Sequence, residues 1–194
     1  MNTTHHFNRL AATAALAVAG LFATAHAQAG NVVVDVTGAQ SINQQGEAGN
    51  TVWLVDIGAN AVLTSLDWSI ALNAFAPSSL SEMQVSFGSS TGLDLITFAP
   101  GAADAVSGAG SYSGSLDLTG LGAHAGADGM LRIEFSEGYK DFAPGVAEGQ
   151  WVSGQLTFGV AAVPEPGSAA LALLGLGVVG VRLTRIRRAA VTRK

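Results

Sequence analysis

The chain has 194 residues with no cysteine, 25 glycines and a formal charge of −5, and 48% of it is hydrophobic against 12% charged. The length suits one domain, and the absence of cysteine excludes a disulfide framework or a cysteine-ligated metal. Nucleic-acid binding is excluded on charge, because neutralising phosphate needs a clustered basic surface, whereas the stretch from Gln28 to Pro166 holds all 14 acidic residues and only two bases, Arg132 and Lys140.

The first predicted element is an N-terminal signal helix over residues 1–27. Arg9 precedes an apolar run from Leu10 to Ala25, and Ala25-His26-Ala27 places small residues where a signal peptidase needs them, with cleavage after Ala27. Signal peptidase and the general secretion machinery are the expected partners, and export is the expected consequence.

Residues 28–162 are expected to form an all-β ectodomain, an antiparallel β-sandwich of about eight short strands. Period-2 alternation marks Leu66 to Leu72, Met83 to Phe87, Leu131 to Phe135 and Leu156 to Val160, and more weakly Val32 to Val36, Leu93 to Phe98 and Ser111 to Leu118. Thr51 to Ile57 is apolar on both faces and predicts a central strand buried on both sides. Turn chemistry falls between these runs at Gly46 to Asn50, Ser89 to Gly92, Gly101 to Gly110, Gly120 to Gly129 and Pro144-Gly145. Ala76 to Ser81 predicts one helical turn over an end of the sandwich, and Tyr112 is expected to pin the glycine-rich loop from Ala99 to Gly114.

Little catalytic chemistry is legible in that domain. Only His124 survives signal cleavage, in a glycine-rich loop and without a G-x-S-x-G nucleophile elbow, so it reads as an exposed loop histidine. Paired carboxylates for glycoside hydrolysis have candidates in Asp67, Glu82, Asp94, Asp104, Asp128, Glu134, Glu137, Asp141 and Glu148. Glu134, alternating along a strand, reads as solvated, and Glu137, Asp141 and Glu148 around Pro144-Gly145 are the candidates for a surface calcium site. Trp53 and Trp68 are expected in the core, and Trp151 is weighed between the core and stacking on a sugar ring.

The C-terminal segment, residues 163–194, carries three features in order. Pro164-Glu165-Pro166 holds an extended, helix-incompatible backbone. An apolar run from Ala169 to Leu183 predicts a short transmembrane helix of roughly 22 Å, against a hydrocarbon core of about 30 Å. The basic tail of Arg182, Arg185, Arg187 and Arg188, extended by Arg193 and Lys194, fixes that tail on the cytoplasmic side. Gly175 to Gly180 spells G-x-G-x-x-G, but without the strand or the acidic residue that dinucleotide binding needs, so it reads as a helix-packing face.

These three features resemble the PEP-CTERM sorting signal of Gram-negative bacteria. The resemblance implies processing by exosortase, transient residence in the inner membrane, delivery to the cell surface or extracellular matrix, and a connection with exopolysaccharide and biofilm. Leu80 to Phe87 and the closing Gly149-Gln150-Trp151 with Gly154 to Phe158 are similar in layout to the jelly-roll P-domain attached to some secreted proteases. That second resemblance implies only a jelly-roll-like fold. The resulting expectation is a protein without catalysis or a required cofactor. The alternatives are a carbohydrate-binding module for exopolysaccharide, marked by an exposed aromatic strip, and a glycosidase-like enzyme with two facing carboxylates.

Overall fold

A computed structural model describes residues 30–161, which fall within a compact unit, Gln28–Val163. The signal segment with Ala25 and Ala27, and the C-terminal segment with Pro164, Glu165, Pro166, Arg182, Arg185, Arg187 and Arg188, lie outside the described residues.

Nine strands follow in order: β1 Gly30–Asp35, β2 Gln40–Ser41, β3 Thr51–Asp56, β4 Val62–Ala74, β5 Met83–Ser89, β6 Ile96–Phe98, β7 Gly108–Asp117, β8 Met130–Glu137 and β9 Gly149–Ala161. They pair antiparallel in two sheets. One has the order β1-β9-β4-β7, with β2 also on β9, and the other has the order β3-β8-β5-β6. There is no helix among the described residues, and so none there long and apolar enough to cross a membrane.

The alternation read in the sequence is what builds the core. Leu66, Ile70 and Leu72 of β4 and Leu156 and Phe158 of β9 turn inward from the first sheet. Met83, Val85 and Phe87 of β5 and Leu131, Ile133 and Phe135 of β8 turn inward from the second, and all of these are buried. Aromatic rings lock the two layers together, with Phe87 on Phe158 at 5.1 Å and Phe135 on Trp151 at 4.9 Å between centroids. Each such side chain contributes about 1.5–3 kcal/mol when fully buried. β9 makes one tight approach to β4: Gly154 has φ +116°, and a Cβ there would collide with the backbone of Ser69 and Ile70, so this position requires glycine.

Three expectations need correction. Thr51–Asp56 is an edge strand, paired only with β8, and Leu54 is 56% exposed. Its Trp53 packs inward on Phe135, while Val52 and Leu54 lie opposite Glu134 and Arg132 on the outer face, so apolar residues on both faces did not mean a sheet neighbour on both sides. Ala76 to Ser81 forms turns rather than a helical turn. There the Ser79 N–H donates to Glu82 Oε2 at 2.8 Å, the Ser81 N–H donates to the Asp104 carbonyl, and Ala76-Pro77 is cis. The strand expected from Ser111 begins at Gly108, which shortens the glycine-rich loop. Tyr112 does pin what remains, its hydroxyl donating to Asp104 Oδ2 at 2.7 Å.

Candidate functional site

The polar groups of greatest chemical interest gather at the end of the sandwich where β8 finishes and β9 begins. Parity places Glu137 on the same face as Leu131, Ile133 and Phe135, opposite Met83, so the last residue of β8 puts a carboxyl at the rim of the core. Glu137 is 1% exposed, its Oε2 accepts a 3.4 Å hydrogen bond from Ser78 Oγ, and its Oε1 has no partner among the described residues. Burial, then the charge of Glu148 and more weakly that of Glu82, push its pKa up to about 8, against the pull of the Ser41 and Ser78 hydroxyls. Glu137 is therefore a neutral carboxylic acid at pH 7.

Glu148 is equally buried but charged. Lys140 Nζ lies 2.7 Å from its Oε1, and the N–H groups of Asp141 and Phe142 donate to it at 3.0 and 2.9 Å. Burial works to raise its pKa, yet Lys140 and the two N–H groups outweigh it and hold the carboxyl below the usual range. Lys140 also donates to the carbonyls of Ile42 and Val146, tying the loop after β2 to the loop between β8 and β9.

The three calcium candidates, Glu137, Asp141 and Glu148, are neighbours in this cluster without forming a cage. Asp141 is exposed, Glu148 spends its oxygens on Lys140 and backbone N–H groups, and among the described residues no three acidic or histidine groups are placed to hold a metal ion. Nor do Glu137 and Glu148 suit glycoside hydrolysis, since both are sealed from substrate.

Glu134 overturns its expected place on a solvated face. It is fully buried beneath the loop from Gln44 to Asn50, where its Oε1 accepts from the Gly46 N–H at 2.7 Å and from Asn50 Nδ2 at 2.8 Å, and its Oε2 pairs with Arg132 at 2.8 Å. Burial alone would raise its pKa, but the donors from Asn50, Arg132 and Gly46 together lower it. The sequence showed Arg132 and Glu134 on one strand face but not the loop over it, whose Asn50 lies 84 residues away.

His124 stands in the loop before β8, with Nδ1 2.7 Å from the Gly122 carbonyl and Nε2 3.3 Å from Asp94 Oδ2. The Ser89 hydroxyl, aided by His124, holds Asp94 below its usual pKa against slight burial. Trp151 is fully buried, its Nε1 donating to Ser41 Oγ at 3.3 Å, so the sugar-stacking alternative fails for it. Trp53 and Trp68 are half-buried against the core, Trp68 lying 4.9 Å from Phe98.

A shallow, polar groove of about 340 Å³ lies on the first sheet and is lined by Ser69, Ala71, Ser111, Ser113, Ser153 and Gly154. No charged group lines it.

The described part is thus an antiparallel all-β domain with an acidic rim at one end. The residues that follow it directly carry the identifying feature: the family model described as the PEP-CTERM protein-sorting motif matches residues 162–188, so the chain carries the signal of an exported, exosortase-sorted protein. No curated protein matches the chain. Among solved structures, it is similar to the infectious bursal disease virus VP2 subviral particle at 15% identity and TM-score 0.31, covering 73% of this chain and 34% of that one. It is also similar to Tomato Aspermy Virus at 13% identity and TM-score 0.29, covering 84% of this chain and 97% of that one. The chain spans about a third of the length of the VP2 chain.

Proposed function

We propose that the chain is a non-enzymatic surface or matrix protein, whose jelly-roll-like ectodomain is exported with a cleaved signal peptide and held at the inner membrane by its C-terminal helix until exosortase acts at Pro164-Glu165-Pro166. The observation that carries this reading is the sorting-motif match at residues 162–188, beginning immediately after β9 ends at Ala161. The strand order β1-β9-β4-β7 facing β3-β8-β5-β6 supports the jelly-roll description, since apart from the two-residue β2 it is that of two four-stranded sheets whose strands alternate as in a doubled Greek key. Burial of Glu137 and Glu148 supports a structural role for the acids, and a connection with exopolysaccharide is part of the proposal, suggested by the resemblance of the sorting segment alone. Intact-mass analysis of the surface form from a producing strain tests the reading. An N terminus at Gln28 and loss of Arg182 to Lys194 are expected, and retention of that basic tail refutes processing.

A further inference from the structure

The two ends of the domain's chain leave it on the same side. Gly30 pairs with Val160 and Val62 with Ala161, so β1 begins and β9 finishes where the loops 57–61, 90–95 and 118–129 also gather. The sorting match starts at the next residue, and Glu165 follows Ala161 by four residues, a reach of at most about 14 Å.

This end presents apolar tips. Leu93 is 90% exposed, Leu121 56% and Val62 37%. The contact between Asp94 and His124, and the β-bridge between His124 and Val62, draw the three loops to one junction that these side chains flank. The acids of the same end are spent on shaping turns. Asp56 accepts from the Gly58 N–H at 3.1 Å, Asp117 from the Thr119 N–H at 2.8 Å, Asp128 from the Met130 N–H at 3.1 Å, and Asp94 from the Ser89 hydroxyl. The carboxylates are thereby held against the loop backbones, and leucine is left at the tips.

We propose that this loop end rests on the surface of a lipid bilayer, with Leu93 and Leu121 entering the interface while the chain is held there by the segment after β9. The proposal rests on the sorting reading above. A bilayer fits better than a protein groove because a leucine that is 90% exposed stands clear of neighbours and needs a deformable apolar medium. Asp56, Asp94, Asp117 and Asp128 select zwitterionic over anionic lipid. Two leucines are too little to bind from solution, but a tether of a few residues supplies an effective concentration on the order of millimolar. The contact therefore lasts only as long as the tether.

The absence of cysteine makes the test direct. Full-length chains carrying Leu93→Cys, Leu121→Cys or, at the opposite end, Val106→Cys are labelled with bimane and reconstituted in phosphatidylethanolamine-rich vesicles containing brominated acyl chains. Quenching at 93 and 121 should exceed that at 106 by at least about twofold, as insertion of interfacial side chains requires, and should weaken as phosphatidylglycerol replaces zwitterionic lipid. Adding Leu121→Ser should reduce quenching at 93. Chains that float with the vesicles but show equal quenching at all three sites overturn the docking surface alone. Chains that fail to float overturn it together with the membrane-held stage of the sorting reading.

Discussion

The substitution Glu137→Gln preserves the shape of a buried side chain and abolishes its titration, which isolates one carboxyl from the others around it. The folded protein holds the Glu137 proton up to about pH 8, whereas the unfolded chain releases it near the ordinary value of 4.5. A pKa raised on folding contributes stability that is fully present below the unfolded value and is lost as pH climbs toward the folded one. At about 1.4 kcal/mol per unit, the loss comes to about 2–3 kcal/mol between roughly pH 5 and pH 7, with a further ~1 kcal/mol by about pH 9. Glu134 and Glu148 do not confuse the measurement, because their lowered pKa values put their own losses in acid, below the ordinary carboxylate range. Asp141 is raised too, but it is exposed and titrates equally in both proteins. Urea unfolding of Gln28–Val163, followed by tryptophan fluorescence across this window, should show the wild type weakening with pH and Glu137→Gln holding level. Equal slopes in the two proteins would refute the assignment.

Four other outcomes are expected. Glu134→Ala removes the acceptor for Gly46, Asn50 and Arg132 at once and should cost about 3–5 kcal/mol, the range for breaking a buried pair, as read by urea unfolding. Trp151→Ala should cost about 3–5 kcal/mol by the same assay, whereas a solvent-facing tryptophan would cost almost nothing. Calcium should raise the melting temperature no more than sodium at matched ionic strength, since Glu148 is committed to Lys140 and backbone donors, Glu137 is buried and protonated, and Asp141 is left alone at the surface. Replacing both Pro164 and Pro166 with alanine should let a following helix extend backward over Glu165, so that unprocessed protein accumulates in the membrane fraction; normal release of that variant would reduce the motif to a spacer.

The inward faces of β4, β5, β8 and β9 were legible because alternation states directly which side chains share a side. What alternation does not state is whether something lies over the other side. Arg132, Glu134 and Ser136 alternate as a polar face should, yet Glu134 and Ser136 are fully buried, and Glu134 sits under a loop that begins nearly 90 residues earlier in the chain. Glu137 shows the complementary gap. Its parity with Leu131, Ile133 and Phe135 was visible, but its burial depends on Ser78 and Glu148 being folded over the rim. For Thr51–Asp56 the missing quantity was sheet order, which hydropathy along a single strand does not contain. The sorting motif needed no folded context, because its three parts are contiguous in sequence.

β9 has a consequence for timing. It is the last of the described strands and sits between β1 and β4, so β1 waits about 130 residues for its partner, as the pairing of Gly30 with Val160 shows. The second sheet has all of its strands once β8 ends at Glu137, but the first has no middle until the final strand arrives. Pairings this distant along the chain close slowly. A polypeptide threaded across a membrane from its N terminus therefore keeps its first sheet incomplete until Ala161 has emerged, directly ahead of the sorting motif at residues 162–188.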